Sequence, residues 1–118
     1  MFEDRLQDLC SKIQGAVAAT LVDRDGITVE SHVENGDIDL EALAAELLAQ
    51  SSTIARDHRE LDLGELKQLS VTTDQYTVLL SSLTATYSLL LVLSDGGSYG
   101  RARFELRRAL IEFESDLV

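Results

Sequence analysis

A second cysteine is missing from these 118 residues, so Cys10 has no intrachain disulfide partner, and the composition fits a reducing compartment. Positive charge is scarce as well: 10 Lys and Arg stand against 21 Asp and Glu, a net charge of −11. Proteins that grip phosphate backbones need the opposite balance, which argues against nucleic acid and anionic membrane as partners. No apolar run approaches the roughly 18 residues of a membrane span, so no membrane insertion is expected. The N-terminus, MFEDRL, is acidic where a secretory signal would be basic and then apolar, and the expected location is the cytoplasm.

Signatures of catalysis are equally sparse. The run Gly96-Gly97-Ser98-Tyr99-Gly100 invites a phosphate-loop reading, but that loop needs a lysine for the terminal phosphates, and Arg101-Ala102 follow instead. Asp95 would also repel the ligand, so a strand-to-helix turn fits better. Asp23, Asp25 and Gly26 share only the start of a calcium loop. His32 and His58 have no spaced companions for zinc, and no serine sits in a GxSxG frame. The expectation is a protein with no catalytic residue, no metal and no cofactor.

What the chain does have is a core. Its 45% hydrophobic content at this length suits one globular domain over residues 1–118. Leu66 to Leu93 reads as three strands. Leu69, Val71 and Thr73 alternate with polar neighbours, and Tyr76, Val78 and Leu80 do the same. Tyr87 to Leu93 is nearly all apolar, as in a strand covered on both faces. Turns belong at Asp74-Gln75 and Thr84-Ala85. Ahead of this meander, Phe2, Leu6, Leu9 and Ile13 predict a helix over residues 2–14, ended by Gly15, with Cys10 on or beside its buried stripe. Ala16 to Val22 predicts a strand. Ile27, Val29, Ser31 and Val33 alternate with Thr28, Glu30, His32 and Glu34, predicting an edge strand that shows water its charged face.

A long helix follows, with Asp39 as its N-cap and Ile38 and Leu43 as a hydrophobic staple. Leu40, Leu43, Ala44, Leu47, Leu48, Ser51, Ile54 and Ala55 form its core face. Ala42, Ala45, Ala49, Ser52 and Arg56 form a second stripe, well round the cylinder. Small side chains let another helix backbone approach to about 8 Å, and a second copy of the chain is the natural occupant. A plain solvent face of good helix formers is the alternative. The strand around Leu69 and Val71 would also be a hazard if left unpaired. The last helix starts at Ser98 and buries Tyr99, Ala102, Leu106, Ala109, Leu110, Phe113 and Leu117. Phe104 and Ile111 lie nearly opposite, against either the first helix or another chain. Arg101, Arg103, Arg107 and Arg108 crowd the same helix. A finger supplied to a phosphoryl-transfer site is conceivable, but pairing with Glu105, Glu112 and the acidic N-terminal half is favoured. That half carries most of the acid: residues 1–65 hold 15 acidic and 5 basic side chains. It is either a solubilising surface or a patch selecting a basic partner.

In this order, three segments resemble the Roadblock family of dynein light chains and bacterial MglB-type GTPase regulators. They are LVDRDGITVESH, LGELKQLSVTTDQYTVLLSSL and YGRARFELRRAL, and the likeness runs over essentially the whole chain. The resemblance implies an α+β fold ordered α-β-β-α-β-β-β-α. Its five-stranded antiparallel sheet has the long helix on one face and the terminal helices on the other. It implies a homodimer, or a pairing with a paralogue, in which third strands join and long helices lie side by side. It also implies docking on a small Ras-like GTPase without a catalytic arginine. Glu46, Gln50, Thr53 and Asp57, the flank of the long helix, are the candidate partner-facing residues. A structural adaptor indifferent to nucleotide state, or a PAS- or GAF-like ligand sensor, would suit the same elements.

Overall fold

The computed structural model describes residues 2–117. Eight elements follow one another: α1 (Phe2–Ser11), β1 (Ala16–Asp23), β2 (Thr28–Val33), α2 (Leu40–Glu60), β3 (Gln68–Thr72), β4 (Tyr76–Ser82), β5 (Tyr87–Ser94) and α3 (Tyr99–Leu117). The strands form one antiparallel sheet in the order β2-β1-β5-β4-β3. β5 is the central strand, and Leu89 to Leu93 are all buried, as its unbroken apolar run requires.

Each face of the sheet carries its own core. Leu79, Leu89, Leu91 and Leu93 meet Leu6, Leu9 and Cys10 of α1 and Ala102, Leu106 and Phe113 of α3. Val78, Leu80, Leu90 and Val92 meet Leu40, Ala44 and Leu47 of α2. A register shift between Ala16 and Ala18 puts Val17 and Ala18 together on the α2 face. The layered arrangement expected from the resemblance is therefore the observed one. Burial pushes the Cys10 thiol up to about 12, so it is a neutral core side chain.

Three expectations need correction. α1 ends at Ser11 rather than at residue 14: Lys12 and Ile13 donate to carbonyls three residues back, which tightens the last turn while keeping Ile13 buried. β2 is an edge strand, but its faces are exchanged. Ile27, Val29 and Val33 are exposed, whereas Glu30 and His32 are half-buried. The reason is that α1 packs over β1 and β2, and Glu30 and His32 lie opposite Leu21 and Ala19 on that side of the sheet. Val33, opposite Ala18, is exposed, while Ser31, opposite Thr20, is half-buried with its hydroxyl 2.7 Å from the Thr20 hydroxyl. Tyr99 is not buried either; it stays exposed and its hydroxyl bonds Ser70 Oγ at 3.0 Å, linking α3 to β3.

Two junctions meet where α1 enters β1 and β5 leaves for α3. Gly15 has φ +88°, and a Cβ there would stand 2.6 Å from the Gly97 Cα. Ser94 N also donates to Gly15 O at 2.8 Å. Gly64 has a similar φ of +94° but open space around it. Gly64→Ala should therefore cost only the left-handed conformation, about 1 kcal/mol. Gly15→Ala adds a collision between two backbones and should cost about 3 kcal/mol or more. Urea unfolding of both variants checks the difference.

Candidate functional site

The exposed side of α2 and the free edge of β3 are where the sequence placed its candidate contacts. α2 starts as expected: Asp39 Oδ1 accepts from Ala42 N at 3.1 Å. Its core face is shorter than expected. Leu40, Ala44 and Leu47 are buried, but Leu48, Ser51, Ile54 and Ala55 are only partly so. A rigid helix laid over a twisted sheet diverges from it along its length. Beneath the second half of α2 this leaves a groove of about 480 Å³, between Leu48, Ser52 and Ala55 above and Leu69, Leu80 and Tyr87 below.

All five residues of the second stripe, Ala42, Ala45, Ala49, Ser52 and Arg56, are exposed. Ala45 also has a neighbour within the chain. The β1–β2 turn reaches α2 so closely that a Cβ on Gly26 would lie 3.4 Å from the Ala45 Cα. Asp23 shapes that turn, its Oδ1 accepting from Asp25 N at 2.9 Å and Ile27 N at 3.0 Å. The Asp23 carboxylate is thus engaged with backbone. Among the described residues, no three His, Cys, Asp or Glu side chains gather as a metal site.

β3 pairs with β4 on one side and, among the described residues, with nothing on the other. Leu69 and Val71 lie opposite Leu80 and Val78, so both look toward the α2 side. Leu69 is half-buried, and Val71 is 38% exposed. The structure brings Ser52 and Leu69 together across one groove. Ala42, Ala45, Ala49 and Arg56 lie outside it.

Glu46, Gln50, Thr53 and Asp57 occupy an exposed row about 90° round the helix from the alanines. The row is knit together in part: Gln50 donates to Glu46 at 3.3 Å, and Asp57 lies 3.8 Å from Arg56 of the neighbouring stripe. The two candidate surfaces adjoin, with Arg56 and Asp57 on the seam.

The arginines of α3 divide into two pairs. Arg101 and Arg108 each reach Glu105 at 3.3 Å, and Glu105 is only 2% exposed. Both guanidinium groups also lie over the Phe104 ring, at 5.7 and 5.8 Å. Phe104 and Ile111 are exposed at 54% and 70%, with the arginines rather than a helix beside Phe104. Glu112, by contrast, pairs with Arg5 at 3.0 Å, and Arg5 also meets Asp116, tying α1 to α3. Sequence reading missed the burial of Glu105, though it stands three residues after Ala102 and four before Ala109 on the core stripe. Arg103 and Arg107 make no ion pair among the described residues; Arg103 lies 5.8 Å from the Tyr99 ring.

A buried carboxylate held by two half-exposed arginines is costly to strand. Removing either arginine should cost less than about 1 kcal/mol, because the other remains. Arg101→Ala/Arg108→Ala should cost about 3 kcal/mol. Adding Glu105→Gln should recover part of it by removing the unpaired charge. Denaturant unfolding of the series checks this.

No family model matches the chain, and no curated protein does either. Solved structures do. A Roadblock/LC7 domain from Streptomyces avermitilis is similar at a TM-score of 0.87 and 16% identity, over 98% of this chain and 96% of that one. Myxococcus xanthus MglB is similar at 0.87 and 16%, over 98% and 93%. MglC from Myxococcus xanthus is similar at 0.72 and 25%, over 98% of both chains.

Proposed function

We propose that this chain, which has the Roadblock/LC7 fold, is a single-domain, non-catalytic module that pairs with a second copy and docks on a small Ras-like GTPase. The observation that carries the pairing is the exposed stripe Ala42, Ala45, Ala49 and Ser52 together with the open edge of β3. An edge strand with exposed Val71 is a liability in a lone chain. Joining two β3 edges removes it. The same motion lays one α2 beside another at the small residues, and it covers the groove above Leu69. One similar solved structure, an MglB with tetrameric arrangement, supports self-association.

The GTPase half of the reading rests on likeness to the MglB structures and on charge. Glu46 and Asp57 place acid on the exposed row of α2, in a protein of net charge −11. Such a face speeds encounter with a basic surface. Among the described residues no three potential metal ligands gather, and Arg101 and Arg108 are committed to Glu105. Its contribution to nucleotide hydrolysis is then to hold the GTPase in one conformation rather than to donate a side chain.

Ala49→Glu tests the pairing. Ala49 is exposed in the chain, so the fold should lose no more than about 0.5 kcal/mol. The dimer should lose about 3 kcal/mol or more from a buried, unpaired charge. Light scattering should show a wild-type dimer at micromolar concentration and a monomeric variant. A monomeric wild type would sink the proposal.

The docking is tested by surface plasmon resonance against a Ras-like GTPase loaded with GDP or a non-hydrolysable GTP analogue. Affinity should differ between the two states. Glu46→Lys/Asp57→Lys should slow association by about tenfold at low salt and leave the dimer intact. Equal affinity for both states would reduce the protein to an adaptor, since a ligand that does not discriminate cannot shift an equilibrium.

A further inference from the structure

Of the ten Lys and Arg side chains, six pair with a carboxylate: Arg5, Lys12, Arg56, Arg59, Arg101 and Arg108. Arg24, Lys67, Arg103 and Arg107 have no such partner among the described residues. Three of these four line one groove of about 370 Å³, between α3 and the adjoining ends of β3 and β4. In a protein with a twofold excess of acid, three cations gathered in one groove form no ion pair among the described residues. Like charges brought together repel.

The lining has a second character. Leu83 is buried and Leu110 half-buried, and both face the groove. Ser81, only 2% exposed, also lines the groove and adds a hydroxyl to it. Glu114 also lines the groove and gives it one negative point. Arg103 lies over the Tyr99 ring, which steadies its stem.

We infer that this groove binds an acidic segment of a partner protein, in which carboxylates flank an aliphatic side chain. The carboxylates sit on Lys67, Arg103 and Arg107, where the arginine forks take them in bidentate fashion. The aliphatic group covers Leu83 and Leu110, and the Ser81 hydroxyl meets the segment's backbone. A long polyanion such as nucleic acid would run on past the groove, within about 8–10 Å of the acidic surface around it. An inorganic anion would leave the leucines uncovered. The groove is on the α3 side of the sheet; it shares Lys67, Gln68 and Ser82 with the groove beneath α2, but none of Glu46, Gln50, Thr53 and Asp57 lines it. Its occupation therefore does not depend on the GTPase reading, and the two can fail separately.

The test is fluorescence anisotropy on the full chain with a labelled, end-blocked peptide of glutamate and leucine. Glutamate–serine and lysine–leucine peptides and inorganic phosphate are run alongside. The glutamate–leucine peptide should bind and weaken with salt, and exchanging leucine for serine should weaken it about fivefold or more. Arg103→Glu/Arg107→Glu should weaken it about tenfold or more, and Arg24→Glu, outside the groove, by less than about twofold. Circular dichroism checks that the variants fold; should the double variant fail, Lys67→Glu and Arg103→Gln/Arg107→Gln take its place. Amide shifts at Ser81 and Leu83 in the wild-type protein locate the peptide without any substitution. Absence of binding, an equal loss in Arg24→Glu, or shifts confined to other elements would overturn the inference. Displacement of the peptide by millimolar phosphate would replace it with a small-anion site.

Discussion

Five consecutive apolar side chains, Leu89 to Leu93, have to be kept from water on both faces of one strand. A single helix cannot do that, because it covers one side. The chain therefore needs at least one helix on each face, and flanking strands to satisfy the backbone of β5 on both edges. β1 and β4 fill the two edges, α2 takes one face, and α1 with α3 takes the other. Among the described residues the two cores share no side chain, and they lie on opposite faces of the sheet.

The same layering leaves the molecule with two dissimilar margins. At β2, α1 covers one face, and the exposed valines lie where α2 falls short. At β3, the Tyr99 hydroxyl holds Ser70 on the α3 side, while Leu69 and Val71 look out beneath the diverging end of α2. The alanine stripe of α2 and the open edge of β3 are two forms of one incompleteness. Each is a surface where backbone can approach backbone closely. At the other margin the register shift opposite Val29 breaks the ladder, which discourages a second strand from adding there.

Much of this was legible in the chain. The double coverage of β5, the N-cap at Asp39 and the core stripe of α3 follow from periodicity and capping chemistry, which are local. The failures were tertiary. Alternation in β2 separates two faces but cannot say which one α1 will cover. The stripe on α2 is continuous through Ala55, yet burial fades after Leu47 because the sheet twists away beneath it. Glu105 occupies a core position that its charge disguised, and only the guanidinium groups of Arg101 and Arg108 make that tolerable. The convergence of Lys67 with Arg103 and Arg107 leaves no mark on any one segment, since it arises from the packing of α3 across the end of β3. The candidate contacts on α2 were identifiable as exposed positions, whereas the groove beside them was not.

The pairing of β1 with β5 has a consequence for how the protein comes into being. Ala16 lies opposite Leu93 and Asp23 opposite Tyr87, so the middle of the sheet is closed by the two strands most distant along the chain among its neighbours. Local hairpins can form early: β1 with β2, and β3 with β4. None of them contains the central seam. On a ribosome, the first hairpin and α2 emerge before Leu90 and Val92 of β5, which complete the core around Val17, Ala18 and Val22, and they wait for that strand. Closing so long a loop costs entropy that is recovered only when the leucines arrive. The folding barrier therefore lies late in the chain, and the nascent N-terminal half, dense in acid, is kept apart from its neighbours by charge during that wait.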